Sequence, residues 1–313
     1  MNEREIIEHL RRRFPRAGDD AAVIDDRVIT NDMLVEDVDF TRAIPLEFIA
    51  RKSLAVNLSD LAAMGAHPEW AMVALGIPQW VDARAFIDRI ADAASAHHIE
   101  IIGGDLSRAE KFVVSITAAG RVSRPLLRSG ARRGDRLYVS RPLGASFAGL
   151  HLLQNGWSIA ANGDVSAPPD VAYAQREFGA AAIRRHVDPE PEVALGIALS
   201  SIAEVTSCID ISDGLSTDLH HLCESSQCGA IVERDRIPLF PDLLSNAGPL
   251  GIDTAQAVLH GGEEFALLFT SSLRESELSS RLGRPVYGIG RITERDVLLD
   301  GKPLEPQGWD HFM

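Results

Sequence analysis

The chain has 313 residues, 45% apolar and 24% charged, which fits about two packed domains and excludes a small module, a fibrous chain or a disordered one. Against 31 Lys and Arg stand 45 Asp and Glu, a formal charge of −14 that repels phosphate backbones and anionic lipid and argues against nucleic acid and membrane partners. Such a chain still handles anionic substrates where its carboxylates hold divalent cations.

Along the chain, Met1–Phe14 carries charge throughout and reads as an amphipathic helix, not a secretory signal. Residues 28–34 read as a strand, and 46–64 as a helix closed by Gly65, with Asn57 and Asp60 on one face. A strand over 69–77 stops at Pro78, a helix follows over 81–98, and a strand runs over 111–122 after Glu100-Ile-Ile-Gly-Gly104. Polarity and glycines rise around Arg128–Asp135, which places a boundary near residue 131 and two domains at 1–131 and 132–313. Beyond it come a strand over 136–140, helices over 143–154, 170–184, 191–204 and 214–226, a loop over 155–169, and buried strands over 205–209 and 265–269. No stretch approaches the roughly 18 apolar residues of a membrane span. Cys208, Cys223 and Cys228 are odd in number and lack C-x-x-C spacing, so they read as reduced thiols in a cytoplasm. Lysine occurs only at 52, 111 and 302; the remaining basic residues are arginines, which bind phosphate as a fork.

Acidic residues recur beside glycines or at strand ends: Gly18-Asp19-Asp20, Asn31-Asp32, Gly103-Gly104-Asp105, Asp210-Ile-Ser-Asp213-Gly214 and Gly261-Gly262-Glu263-Glu264. Singly, each fits a turn former or a helix N-cap. Together, and with Asp60 inside an otherwise apolar helix, they fit one cluster holding a hard cation against phosphate oxygens. Phosphate loops of the G-x-x-x-x-G-K-[ST] kind, G-x-G-x-x-G turns and protein-kinase catalytic loops are absent. Two residues separate Asp210 from Asp213 where an aspartyl-phosphate motif has one, which disfavours a phosphoenzyme. The pairs His97-His98 and His220-His221 lack a ligand framework and read as surface or core histidines.

Gly18-Asp-Asp-Ala-Ala-Val23, Asp32-Met-Leu-Val-Glu36, Lys52-Ser-Leu-Ala-Val-Asn-Leu-Ser-Asp-Leu-Ala-Ala-Met-Gly65, Ile102-Gly-Gly-Asp105, Arg128-Ser-Gly-Ala131, Ile209-Asp-Ile-Ser-Asp-Gly-Leu215, Gly261-Gly-Glu263 and the closing Gly308-Trp-Asp-His-Phe312 occur in that order. This ordered set resembles the thiamine-monophosphate kinase family of the aminoimidazole ribonucleotide synthetase-like superfamily. The resemblance implies an α+β N-terminal domain that dimerises through its sheet and an α/β C-terminal domain. It implies direct transfer of the ATP γ-phosphoryl to thiamine monophosphate with several Mg²⁺ ions, no covalent intermediate, no catalytic side chain and a homodimer. Residue by residue, it implies Mg²⁺ ligation by Asp20, Thr30, Asn31, Asp32, Asp60, Asp105, Asp210 and Asp213. It implies ATP contacts from Gly104, Asp105, Arg128 and Ser212, and an acceptor end formed by Asp39, Glu263 and Trp309.

The chain departs from the family pattern at Asp37-Val-Asp39-Phe40, where Gly-Val-His-Phe is usual, and at Asn31 for threonine. Leu106-Ser107 stands for Thr-Thr, and Gly262-Glu-Glu-Phe265 for Gly-Glu-Asp-Tyr. Asp39 bears most on acceptor identity. The alternatives are another ATP-using member of the superfamily acting on a different small acceptor, and a non-catalytic nucleotide- or thiamine-phosphate-binding protein.

Overall fold

A computed structural model describes residues 6, 9, 10, 12–14 and 18–309. Most of the helix expected over 1–14 lies outside these residues, as do residues 310–312 of the closing motif.

The first unit runs β1 (Ala22–Ile24), β2 (Arg27–Val35), α1 (Leu46–Ala63), β3 (His67–Ile77), α2 (Ala83–Ala96), β4 (Glu100–Arg108) and β5 (Val113–Arg121). Its sheet has the order β1-β2-β5-β3-β4, antiparallel except where the α2 crossover makes β3 and β4 parallel. Alternation along β2 sends Val28, Thr30 and Leu34 toward α1 and Asn31 and Met33 to the opposite, open face.

The sequence of α1 spreads its apolar residues around the helix rather than along one stripe, the pattern of a helix packed on more than one side, and 14 of its 18 residues are buried. One side lies on β2, β5 and β3; the other meets a helix and a strand of the second unit. Ala62 and Ala63 accordingly belong to a core cluster with Leu195, Leu199, Cys208 and Leu267. The helix stops at Gly65, whose φ of +70° suits a residue without Cβ. There the Ala66 N–H donates to Leu61 O, a Schellman-type closure.

The second unit contains β6 (Arg136–Val139), α3 (Ala145–Gln154), the hairpin β7 (Ser158–Ile159) and β8 (Val165–Ser166), α4 (Tyr173–Val187), α5 (Val193–Ser200), β9 (Val205–Asp210) and α6 (Leu215–Ser226). β10 (Gly229–Val232), α7 (Leu243–Ala247), β11 (Leu267–Ser271), α8 (Glu275–Leu282), β12 (Tyr287–Thr293), β13 (Val297–Leu299) and β14 (Lys302–Pro303) complete it. Seven strands form one sheet in the order β14-β13-β10-β12-β6-β11-β9.

Three expectations shift for local reasons. The segment 155–169 is not wholly loop, because Trp157 and Ile159 anchor a two-residue ladder in a cluster with Phe48. The helix expected over 191–204 ends at Ser200, where the Arg124 guanidinium donates to Ser200 O at 2.8 Å and Ile202 O at 2.7 Å and satisfies the terminal carbonyls. The strand expected from 265 starts at Leu267, since Phe265 takes a φ of +48°.

α5 crosses α1 at Gly196, where a Cβ would lie 1.9 Å from Ala62 O. Gly196→Ala is expected to lower stability by about 1–3 kcal/mol through overpacking of the two units. The shift of the urea midpoint measures it, and an unchanged midpoint would show that the helices separate freely.

Candidate functional site

A cleft of about 400 Å³ opens where α1, β2 and the loops after β9 and before β11 converge, a volume in the range of small-molecule sites. Its lining includes Asp20, Thr30, Asn31, Asp32, Asp39, Asp60, Arg128, Asp210, Ser212, Asp213, Glu263 and Trp309. These side chains come from opposite ends of the chain, and the docking of the two units against α1 brings them together.

Asp20, Asp60 and Asp210 each offer a carboxylate oxygen within 4.8 Å of the others. Asp20 precedes β1, Asp60 sits in the last turns of α1 and Asp210 ends β9. Thr30 donates to Asp60 and Ser59 to Asp210, while Asn57 accepts from the Asp32 amide at 3.1 Å. Arg128 closes its fork on Asp20, Nε at 3.0 Å and Nη2 at 2.6 Å, and its amide donates to Asp19 at 3.0 Å.

These partners do not neutralise the cluster. Burial, then the charges of Asp210 and Asp19, push Asp20 up from 3.8 to about 7 against the pull of Arg128. Asp32 rises to about 6 through burial and the charges of Asp20, Asp39 and Asp213. Burial likewise raises Asp210 to about 6, and burial with Asp32, Asp210 and Asp20 carries Asp60 well above its ordinary value. Oδ2 of Asp20 is buried with no hydrogen-bond partner among the described residues. An all-oxygen set with an orphaned oxygen and strained ionisation is the donor set of a hard divalent cation.

The loop Ser212–Gly214 is held from both sides. Asp218, buried in α6, accepts from the amides of Asp213 and Gly214 at 3.1 and 3.0 Å. The Glu263 amide donates to Ser212 O at 2.6 Å, and the Trp309 amide to Asp213 O at 3.1 Å. Asp213, Asp218 and His221 bring a second set of ligand atoms within 4.8 Å. His220 pairs with Leu304 O at 2.6 Å.

Two expected residues stay outside the cleft. Gly104 and Asp105 lie on the exposed edge strand β4, whose Gly104 is in register with Val73 of β3, Ile116 of β5 and Asp32 of β2. Three ladder steps put it about 14 Å from Asp32. Asp39 lines the cleft, yet its Oδ2 accepts from the Val35 amide at 2.7 Å and closes the turn after β2. Asn31, on the open face, donates to Thr117 at 2.9 Å and Ile116 O at 3.1 Å.

Sequence reasoning missed Lys52 and His186. A smaller cavity of about 280 Å³ adjoins the cleft and shares Leu34, Asp39, Leu150, His186 and Trp309 with it. Lys52 lines it and lies 2.6 Å from Glu263, with His186 3.3 Å from the same carboxylate. The rarity of lysine and its place in an apolar helix were the available signal. Glu264 sits beneath this loop, accepting from the Gly144 and Ser146 amides at 2.9 and 3.0 Å at the start of α3.

Residues 18–122 match the family described as AIR synthase related protein, N-terminal domain, and residues 132–299 match its C-terminal domain. A thiamine-monophosphate kinase of Haemophilus influenzae is 36% identical across 94% of this chain and 90% of its own length. That of Escherichia coli K12 is 36% identical across 94% and 91%. A solved structure described as AaThiL complexed with AMPPCP and TMP aligns at a TM-score of 0.87 and 30% identity, over 99% of this chain and 97% of that one. The chain belongs to the AIR synthase related proteins and, within them, to the thiamine-monophosphate kinase family. Its two-domain architecture is that of the family.

Because folding raises the pKa values of Asp20, Asp32 and Asp210, the metal-free folded state binds more protons than the unfolded one from about pH 4 to 7. These groups therefore contribute stability at low pH that is lost as pH rises. Mg²⁺ is expected to raise Tm more at pH 8 than at pH 5, where protons compete for the same oxygens. Thermal melts in chelator and in Mg²⁺ measure this, and equal gains at both pH values would contradict the repulsion.

Proposed function

We propose that this chain is a homodimeric kinase that uses ATP and Mg²⁺ to phosphorylate thiamine monophosphate to thiamine diphosphate. The observation that carries the reading is the largely buried Asp20, Asp60 and Asp210 cluster beside Arg128, in a chain alike over nearly its whole length to kinases of that name. The structure described with AMPPCP and TMP supports ATP and thiamine monophosphate as the ligand pair.

In the reaction an oxygen of the acceptor phosphate bonds to the γ-phosphorus while the bond to the β–γ bridging oxygen breaks and ADP leaves. The attacking oxygen is already anionic, so no side chain has to take a proton. Asp20, Thr30, Asn31, Asp32, Asp60, Asp210 and Asp213 hold Mg²⁺, which when bound supplies charge neutralisation between the two phosphates. Arg128 and Ser212 face the polyphosphate, and Asp39, Glu263 and Trp309 face the acceptor, with the adjoining apolar cavity receiving its rings. Residues 1–131 then form the nucleotide and dimerisation domain, and 132–313 the domain that adds acceptor and metal contacts. The three free cysteines suit a cytoplasmic protein.

A second copy accounts for Gly104 and Asp105. The open face of the first sheet exposes Met33, Met72 and Ile102, apolar surface that a partner would cover. Register puts Asp105 on that same face, at the far edge from Asp32. A two-fold partner that aligns its β4 edge with this chain's β2 brings its own Asp105 to this cleft.

Asp60→Asn is expected to lower turnover about 10²-fold or more by removing a charged ligand, with Tm in chelator unchanged or raised. Chromatography of thiochrome derivatives reads product formation; wild-type turnover in the variant would sink the cluster, and an inert wild type would sink the thiamine assignment. Mixed dimers of Asp60→Asn and Asp105→Asn chains test the shared site. Random pairing with one intact site per heterodimer predicts recovery of about a quarter of wild-type activity, whereas no recovery would place Asp105 in its own chain's site.

A further inference from the structure

We propose that Lys52 and His186 are positioning residues that clamp the Glu263 carboxylate at the mouth of the apolar cavity, fixing which acceptor ring the site takes. The inference rests on the functional reading above and deepens it at the acceptor end.

The clamp joins the two units. Lys52 and Ser59 are two turns apart on one face of α1, and each reaches a carboxylate of the second unit, Ser59 to Asp210 and Lys52 to Glu263. Lys52 is buried, its side chain 5% exposed, and its Nζ lies 2.6 Å from Glu263 Oε1. From α4, His186 Nδ1 lies 3.3 Å from Glu263 Oε2 and 3.0 Å from Ser146 Oγ. The backbone of Glu263 is itself constrained, with a φ of +58° that glutamate keeps only where its surroundings hold it.

The three groups have distinct roles. Burial and the charge of Lys52 hold His186 down near 3, so the ring is neutral. As the Nδ1–H tautomer the neutral ring points its proton at two oxygens, the Ser146 hydroxyl at 3.0 Å and the Glu263 carboxylate at 3.3 Å; as Nε2–H it would accept from Ser146 and turn its lone pair toward the carboxylate, so the clamp requires Nδ1–H. Glu263 is thus held from both oxygens, by a cation on one and a neutral donor on the other. Paired with a buried ammonium, it presents an oriented acceptor and little net charge. Recognition of the acceptor ring at this wall then depends on a hydrogen bond of fixed direction and on apolar contact, and a ring lacking a matching N–H donor is rejected because the carboxylate cannot turn to suit it.

Steady-state kinetics on Lys52→Met tests the clamp. The expected result is a rise of about tenfold or more in KM for thiamine monophosphate, with KM for ATP within about twofold. A KM for the acceptor that falls would show that Glu263 acts by net charge, and one that stays unchanged while Tm drops would show a purely structural lysine; either overturns the proposal. Should Lys52→Met fail to fold, Lys52→Met/Glu263→Gln removes both charges together and is expected to show the same KM split; wild-type acceptor KM in it overturns the clamp. Independently of any acceptor, ¹⁵N imidazole shifts of the wild type, assigned by their loss in His186→Gln, are expected to show a neutral Nδ1–H ring. An Nε2–H ring overturns the proposal. A wild type inert toward thiamine monophosphate would fail the functional reading alone, leaving the imidazole spectrum to decide the clamp.

Discussion

Mutual repulsion of carboxylates held out of water is the constraint around which this protein is built. Asp20, Asp32, Asp60 and Asp210 are all raised in pKa by burial and by one another, so the metal-free cluster opposes the packing that creates it. The opposing force is apolar: α1 is buried on both sides, and its small residues let α5 approach to backbone contact at Gly196. Hydrogen bonds from Thr30, Ser59 and Arg128 orient the carboxylates without discharging them. A ligand that supplies positive charge therefore stabilises the docking of the two units by mass action, and substrate binding and interdomain rigidity become one equilibrium.

The site separates two chemistries that a single pocket would confuse. The polar cleft gathers the oxygens suited to cations and phosphates, while the adjoining cavity is walled by Leu34, Phe48, Ile49 and Leu150. Lys52, Glu263 and His186 stand where the two meet. A buried ion pair is seldom a source of stability, since desolvation offsets the attraction. Its value here is directional, because it ties α1, which also carries Asp60, to the loop that carries Glu263.

Much of this was legible in the sequence where a pattern is local. α1 announces itself by a largely apolar helical run ended by glycine, and Asp60 stands out because it is acidic deep in that run, whereas the other acid, Glu47, sits in the first turn. β2, β3 and β5 are long enough for periodicity to register, whereas β4, exposed along nearly its whole length, shows no alternation and reads only as the Glu100–Gly104 segment before the next strand. β10, β13 and β14 have two to four residues each, too few for alternation to show, and their pairing is decided by tertiary contact. Lys52 and His186 escaped because a clamp of residues from α1, α4 and a loop has no spacing to read. Asp39 reads as an acceptor residue only through its motif; in the fold its carboxylate accepts from the Val35 amide and closes the turn after β2, a contact that the motif does not announce.

Gly104 and Asp105 show how register limits what one chain can assemble. A sheet fixes the lateral distance between strands, so no side-chain rotation carries Asp105 across β3 and β5 to Asp32. Moving β4 closer within the chain would require breaking the ladder that positions Thr30 and Asp32. The open, partly apolar face of the same sheet offers the alternative: a second sheet laid against it with its order reversed sets edge β4 beside β2. In the proposed homodimer, burial of Met33, Met72 and Ile102 and delivery of Asp105 to the acidic cluster would follow from one contact, and the symmetry that closes one cleft would close the other.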